Sequence, residues 1–228
     1  MTELDDLPPF DPPYLLAGTC LAVVGLWDRA AHDPPLDFRP VRLFGRPAAV
    51  VIANHYTEPP AALPIRYREV IAASLVRRGL SFSAVPFDMV LDEALPVELG
   101  RLHYALPKRL DATLAVHQRQ GTFAATASDL ELRASSHGGI ASAFALPIRV
   151  AFALAVRAIT ASIDVLGVTY PPSKRARIAL RPRGIGQSWR VTAGRAGGIP
   201  LRTLWCQSWS WTATDLGSPQ PLETKGPA

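Results

Sequence analysis

The chain has 228 residues and a net charge of +5, with 48% apolar and 19% charged residues, a composition that favours one folded domain and argues against a disordered chain. The two cysteines and five histidines show none of the spacings typical of zinc sites, and no signal peptide or membrane span is evident. No nucleic-acid motif accompanies the arginines of the C-terminal part. We therefore expect a cytoplasmic protein without metal, nucleic-acid partner or membrane contact.

Short segments rich in β-branched and aromatic residues, bounded by turn residues, dominate the chain and predict strands. The sequence Arg77-Arg78-Gly79 predicts a hairpin turn between two of them. The apolar stretch from Pro147 to Tyr170 fits either a helix or strands, and its content of Val, Ile, Thr and Phe favours strands. In chain order the predicted strands are Leu21–Trp27, Ala48–His55, Tyr67–Val76, Ser81–Leu91, Thr122–Ala127, Leu130–Ala134, Arg149–Val156, Ala158–Val165, Arg177–Leu180 and Ser188–Thr192.

One segment, Glu93–Tyr104, has a helical pattern, with leucines at three- to four-residue spacing and a proline in its first turn. Many strands and few helices predict an α+β, mostly β fold, in which an antiparallel sheet curls into a cone-like or closed barrel. We expect a single domain over residues 1–228. Its ends, residues 1–13 and 217–228, are polar and proline-rich and are expected to be flexible.

Lys108 and Arg109 lie side by side in an otherwise apolar neighbourhood. Desolvation and an adjacent fixed positive charge both disfavour the charged form of a lysine, and the neutral amine is the nucleophile. The guanidinium cannot lose its proton to relieve the repulsion. Taken alone, a Lys-Arg pair is more often a solvated surface feature, so the pair becomes a candidate nucleophile and activator only with further support.

The segment from Leu91 to Glu98, followed by Gly100-Arg101 and then by Ala105-Leu-Pro-Lys-Arg-Leu110, resembles the acetoacetate decarboxylase family. In that family the first lysine of a Pro-Lys-Lys-Leu motif forms a Schiff base and the second raises its reactivity. The resemblance implies that Lys108 is the nucleophile and Arg109 its electrostatic partner, inside a β-barrel of a homo-oligomer. No cofactor and no metal are implied.

A second segment, His55-Tyr56-Thr57-Glu58, is similar to the Tyr-Thr-Glu that ends a strand in the same family, where the glutamate faces the lysine. The resemblance therefore implies an acid/base role for Glu58, although a glutamate before two prolines is also an ordinary loop residue. It further implies that Tyr56, Arg101 and Tyr104, which lie in the matching segments, bind the substrate.

The chain also departs from the family pattern. Residues 14–24 contain no basic side chain and residues 48–53 no acidic one, where family decarboxylases carry groups that hold the substrate carboxylate. The glutamate that usually follows Gly-Arg is Leu102, and the second lysine is Arg109. These changes predict a more apolar pocket and put the decarboxylation of acetoacetate in doubt.

Three functions follow as hypotheses. The first is a Schiff-base lyase that decarboxylates a β-keto acid. The second is a Schiff-base enzyme that condenses, dehydrates or cyclises a larger, polyketide-like ketone in secondary metabolism without losing a carboxylate. The third is a non-catalytic ligand-binding protein, because a fold alone does not fix a function. In the two enzymatic hypotheses the partner is a small keto compound.

Overall fold

The computed structural model describes residues 12, 14–31, 37–58, 66–136 and 163–222. These residues form 14 strands and one helix. In chain order they are β1 Tyr14–Trp27, β2 Arg39–Pro40, β3 Arg42–Leu43, β4 Arg46–Glu58, β5 Tyr67–Arg78, β6 Ser81–Leu91, α1 Ala94–Tyr104, β7 Lys108–Leu110, β8 Ala115–Arg119, β9 Thr122–Ala127, β10 Leu130–Ser136, β11 Ile163–Gly167, β12 Lys174–Ala196, β13 Ile199–Leu216 and β14 Gln220–Pro221.

The long strands form one curled sheet in the order β11, β6, β5, β4, β1, β13, β12. Strand β11 pairs with β6 on one side and with β12 on the other, which brings the two ends of this run together. Beyond β12 the sheet continues into the hairpins of β10, β9 and β8. The predicted mostly β fold with a curled sheet is confirmed.

Side chains alternate along each strand, so the sheet has two faces, and each face carries its own apolar core. On β4, Val51 and Ala53 belong to the first core, which also contains Trp27 and is closed by β8 to β10. Tyr56 belongs to the second core, which packs against α1. We call these the hairpin-side core and the helix-side core.

Helix α1 confirms the predicted helix, with Glu93 as the residue before its first turn. It ends where Ala105 adopts a left-handed conformation, with φ of 54°. The amide of Ala105 then donates to the carbonyl of Arg101, and the amide of Leu106 donates to that of Gly100. After this turn the chain enters β7 at Lys108, three residues beyond Ala105.

Several predicted strands are confirmed, and the turn after Arg78 has Gly79 in the left-handed region, with φ of 60°. The sheet is mixed rather than antiparallel throughout, because β7 and β11 each pair in parallel with β6. The short strands β2, β3, β7, β8 and β14, and the long strand β13, were not predicted. The predicted strand Arg149–Val156 and residues 158–162 of the next one lie outside the described residues.

Part of the C-terminal segment that was expected to be flexible packs on the sheet. Strand β14 pairs with the start of β12, and Leu222 is buried next to Phe38 and Leu166. Cys20 and Cys206 are buried and form no disulfide with each other. Within the described part of the chain, no helix has the length and apolar character needed to cross a membrane.

Of the fully buried side chains that the structure describes, Trp27 is the largest, so its substitution tests the packing of the hairpin-side core. Its indole contacts Phe87 edge to face, and its Nε1 donates to the carbonyl of Ala73 at 3.2 Å. Trp27→Phe leaves a cavity and an unpaired carbonyl, so we expect a loss of about 2–3 kcal/mol in the free energy of unfolding measured with urea. Leu80→Ala, at a side chain that is 97% exposed, is the control and should change stability by less than about 0.5 kcal/mol. Equal losses in the two variants would contradict this account of the core.

Candidate active site

Lys108 lies on the helix-side face of the sheet. Strand β7 pairs in parallel with β6, and Lys108 stands opposite Met89 in this register. Met89 belongs to the helix-side core, and Lys108 is itself buried. The lysine side chain therefore enters an apolar environment, where an unpaired charge is unfavourable.

The Lys108 amine lies 2.9 Å from Oε1 of Glu69, on β5. The two side chains are 10% and 3% exposed, so the ion pair is nearly sealed from water. Among the described residues, no hydrogen bond to Oε1 meets ordinary angular limits, so its contact with the ammonium is an ion pair.

A short hydrogen-bonded chain holds the other oxygen of Glu69. The hydroxyl of Tyr56 donates to Oε2 at 3.1 Å, and the side-chain amide of Asn54 donates to the Tyr56 oxygen at 3.0 Å. Tyr67 packs against Tyr56 with its ring centre 4.5 Å away. Burial, followed by the charge of Glu69, raises the pKa of Tyr56 well above its ordinary value. Tyr56 thus stays protonated and keeps donating to the carboxylate.

Helix α1 shapes the site through two adjacent residues. A Cβ atom added to Gly100 would lie 2.2 Å from Cδ of Lys108, so the lysine stem occupies the space that any larger residue needs. Arg101 donates from Nε to the carbonyl of Lys108 at 2.7 Å. The Gly-Arg pair therefore fixes both the side chain and the backbone of Lys108.

Arg109 faces away from the Lys108 amine, because successive residues of a strand point to opposite faces. Its guanidinium binds Asp88 through Nε at 2.8 Å, and also contacts Asp111 and Asp129. These hydrogen bonds and charges, that to Asp88 foremost, raise the pKa of Arg109. Three carboxylates thus balance this cation, and its predicted influence on Lys108 stays a prediction.

The remaining predicted residues differ in their relation to Lys108. Tyr56 reaches it through Glu69, and Tyr104 is buried in the same core. Glu58 is the last residue of β4, where it pairs with Ala17, and its side chain lies outside the described residues. Its acid/base role also stays a prediction.

Glu69, Asn54 and Tyr67 are site residues that the sequence analysis missed. A signal was available for Glu69, since it is one carboxylate within the apolar strand that runs from Tyr67 to Val76. Strand periodicity places Glu69 on the same face as Tyr67 and Ile71, and that face is buried. A buried carboxylate requires a cation, and sequence alone does not say which one approaches it.

The arrangement supplies a buried amine, a carboxylate that can take its proton, and a tyrosine that orients the carboxylate. These are the parts needed to make an amine nucleophilic and to stabilise a cation formed at its nitrogen. Among the described residues, no group of three or more His, Cys, Asp or Glu side chains is placed to hold a metal ion.

No family model matches the sequence, and no curated protein matches it. Comparison with solved structures shows that the chain has the fold of acetoacetate decarboxylase and of enzymes similar to it.

Three of these structures illustrate the match. Acetoacetate decarboxylase from Legionella pneumophila is 11% identical with a TM-score of 0.64, over 94% of this chain and 89% of that one. An acetoacetate decarboxylase-like enzyme from Sphingomonas wittichii RW1 is 18% identical with a TM-score of 0.60, over 94% of both chains. The enduracididine biosynthesis enzyme MppR, complexed with pyruvate, is 15% identical with a TM-score of 0.58, over 95% and 92%. At these identities the likeness shows the fold.

The contact between Gly100 and Lys108 gives a testable prediction. Alanine is a better helix former than glycine by about 1 kcal/mol, so Gly100→Ala should leave α1 intact while its methyl group displaces the lysine stem. We expect the acylation rate of Lys108, measured by competitive labelling and mass spectrometry, to differ from that of the wild type, while the rate at Lys225, the internal reference, stays the same. Unchanged labelling of Lys108 in a folded variant would refute the contact.

The Arg109 cluster predicts a pH-dependent contribution to stability. Hydrogen bonds from Thr113 and then Ser128 lower the pKa of Asp111, so its carboxylate stabilises the folded state above its unfolded-state pKa of about 4. This contribution is lost as the pH falls below that value towards the lower folded-state pKa. Asp111→Asn should therefore be less stable than the wild type at pH 7, and the difference should shrink at pH 3 in urea titrations.

Asp37→Asn serves as the control for this series, since Asp37 makes only a long, exposed contact with Arg78 at 3.9 Å. Its effect should be small and nearly independent of pH. A difference between wild type and Asp111→Asn that stays constant from pH 7 to pH 3 would show that the Asp111 charge does not contribute in this way.

Proposed function

We propose that the protein is an enzyme that forms a Schiff base between Lys108 and a small ketone, without a cofactor. The observation that carries the proposal is the buried pair of Lys108 and Glu69, 2.9 Å apart on an otherwise apolar face. The sequence contains three lysines, Lys108, Lys174 and Lys225. Of the two that the structure describes, Lys108 alone is buried.

In the proposed reaction, Glu69 first takes a proton from the Lys108 ammonium through Oε1, the oxygen that faces it. The neutral amine then attacks the carbonyl carbon and forms a carbinolamine. Protonation of the hydroxyl group by Glu69 releases water and leaves an iminium ion. Its positive charge lies at the nitrogen, close to the carboxylate that previously neutralised the ammonium, so the cationic intermediate needs no new counter-ion.

Tyr56 and Asn54 support this proton transfer by fixing Glu69. Because Tyr56 binds Oε2, the other carboxylate oxygen faces the amine. The ring of Tyr67, which packs against Tyr56 at a tilt of 34°, limits the movement of Tyr56. A carboxylate held in this way is preorganised, and no reorientation is required when the charge moves from ammonium to iminium.

For a β-keto acid, the bond to the carboxylate breaks next, carbon dioxide leaves, and the electron pair passes to the iminium nitrogen. The resulting enamine takes a proton at carbon, and water then hydrolyses the new iminium to release the ketone and the free amine. Each turnover of a keto acid therefore consumes one proton and releases one molecule of carbon dioxide. This is the lyase reaction that the sequence resemblance implies.

A second reaction is favoured by the charges around the site. Arg109, the nearest cation in sequence, is held by three aspartates on the other face, and Arg101 binds the Lys108 backbone. A substrate carboxylate thus finds neither guanidinium directed at it. In this case Glu69 removes a proton beside the iminium carbon, and the enamine attacks a second carbonyl group. The new alkoxide takes this proton back from Glu69, and water hydrolyses the iminium to release the product and the amine. MppR has been crystallised with the condensation product of pyruvate and imidazole 4-carboxaldehyde, which is consistent with this chemistry on the fold.

The test is reduction with borohydride in the presence of acetoacetate, pyruvate or an apolar methyl ketone, followed by peptide mass spectrometry. We expect an adduct on Lys108 with at least one of these compounds, and none on Lys174 or Lys225, which serve as internal controls. Release of carbon dioxide then separates the two reactions. Absence of an adduct with every carbonyl compound would favour the non-catalytic binding protein.

Glu69→Gln tests the proton transfer separately. General acid–base groups contribute about 10²–10⁴-fold, so the maximal rate of adduct formation should fall at least about a hundredfold, and Glu69→Asp should recover part of it. Glu131→Gln, at a partly exposed glutamate that pairs with Arg133, is the matched control and should keep the wild-type rate. Thermal unfolding of all three variants checks the fold. A folded Glu69→Gln variant with the wild-type rate would exclude Glu69 from the reaction.

A further inference from the structure

Two neighbouring hairpins end at the same edge of the sheet. The first joins β3 to β4 and turns at Phe44 and Gly45, and the second joins β5 to β6 and turns at Gly79 and Leu80. Strands β2 and β3 lie between the two hairpins, since β2 pairs with β5 and β3 pairs with β4. At the usual spacing of paired strands, the two tips are about 10–15 Å apart. We call residues 39–46 and 77–82 the tip surface.

Each tip presents a large apolar side chain to solvent. Leu80 is 97% exposed and Phe44 is 89% exposed. Phe44 and Gly45 have φ of 52° and 76°, in the left-handed region, as in the two-residue turns that prefer Asn-Gly. A side chain with a Cβ atom is unfavourable in this conformation. Folding alone therefore gives no reason for an aromatic residue at this tip.

The tip surface also holds two like charges directly opposite each other. Arg39 on β2 and Arg77 on β5 are partners in an antiparallel pair of strands, and both are exposed. Like charges in this arrangement destabilise a sheet. Within the part of the chain that the structure describes, the two nearby aspartates, Asp28 and Asp37, contact other arginines instead. A negatively charged partner would relieve the repulsion.

Further arginines border both tips, and the nearby carboxylates balance only part of their charge. Arg42 and Arg46 flank the first turn, and Arg78 precedes the second. Asp28 pairs with Arg46, and Asp37 lies 3.9 Å from Arg78. With five arginines in it and these two aspartates beside it, the tip surface has a net positive charge.

Projecting apolar side chains among arginines suit the surface of an anionic membrane. The lipid phosphates attract the arginines, and apolar side chains enter the boundary between headgroups and acyl chains without needing a complementary pocket. A second copy of this chain is a less suitable partner. If the surface met itself in a symmetric dimer, the arginines of the two copies would face one another.

We propose that the tip surface binds to an anionic membrane. Phe44 and Leu80 enter the boundary between headgroups and acyl chains, and Arg39 and Arg77 bind the lipid phosphates. The expectation of no membrane contact rests on the lack of a spanning segment, and binding at the bilayer surface requires none. The start of β6 lies about 20–25 Å along the strand from the residue opposite Lys108, so this inference does not depend on the imine chemistry.

The proposal is tested by co-sedimentation of the full chain with lipid vesicles. Vesicles of phosphatidylcholine that contain about 30% phosphatidylglycerol are compared with vesicles of phosphatidylcholine alone. We expect saturable binding to the anionic vesicles only, and weaker binding in about 0.5 M NaCl. No binding to the anionic vesicles, or equal binding to both kinds, would overturn the proposal.

Phe44→Asn separates membrane contact from folding. Asn-Gly is the preferred pair for this turn, so the variant should keep or raise the melting temperature. Its affinity for the anionic vesicles should nevertheless fall at least about tenfold, because the apolar side chain is lost. Leu102→Gln, at a leucine on α1 that is 69% exposed, is the control and should change the affinity less than about twofold. Unchanged binding of Phe44→Asn, or equal losses in the two variants, would contradict the proposed contact.

Arg77→Gln tests the contribution of charge. One arginine near an anionic surface contributes about fivefold to the affinity, so binding should weaken by about that factor and depend less on salt. Arg119→Gln, at an exposed arginine of β8, is the matched control and should bind as the wild type does. Equal effects of the two substitutions would show general charge attraction and overturn the surface. Sedimentation equilibrium without lipid adds a further check, because a dimer that dissociates in Phe44→Asn would assign the surface to a second copy instead.

Discussion

The candidate site on the helix-side face of the sheet depends on one interaction, the buried ion pair between Lys108 and Glu69. Removing two charges from water costs several kcal/mol per ion, and a pair of apolar side chains can often fill the same space with equal or greater stability. Stability alone therefore gives little reason for this pair among the apolar side chains around it. Its surroundings hold the charges in place: Gly100 leaves room for the lysine stem, Arg101 binds its backbone, and Tyr56 orients the carboxylate.

Much of the fold follows from sequence patterns of short range. Segments rich in β-branched and aromatic residues predict β4, β5 and β6, Arg77-Arg78-Gly79 predicts the turn between the last two, and leucine spacing predicts α1. Strand β7 has three residues, and its parallel partner β6 is joined to it through a helix, so no local pattern marks it. The full lengths of β12 and β13 could not be predicted from the sequence either. Pairing with neighbouring strands, and not local composition, sets where these two strands begin and end.

The candidate site could be predicted in part for the same reason. Lys108 is found through the sequence resemblance, and Tyr56 lies in the second matching segment. The relation between Lys108 and Arg109 depends on backbone conformation: two neighbours in a strand point apart, and the sequence does not identify β7 as a strand. Lys108 and Glu69 are 39 positions apart in the sequence. They come into contact only through the pairing of their strands in the sheet, which no local sequence pattern predicts.

The close approach of α1 to Lys108 also bears on the reaction proposed for this amine. With Gly100 against the methylene groups, the helix leaves no space beside the lysine stem on its own side. Glu69 occupies a fixed position relative to that approach. In the proposed reaction, a prochiral intermediate on Lys108 would therefore present one of its two faces to Glu69, which predicts a product of a single handedness.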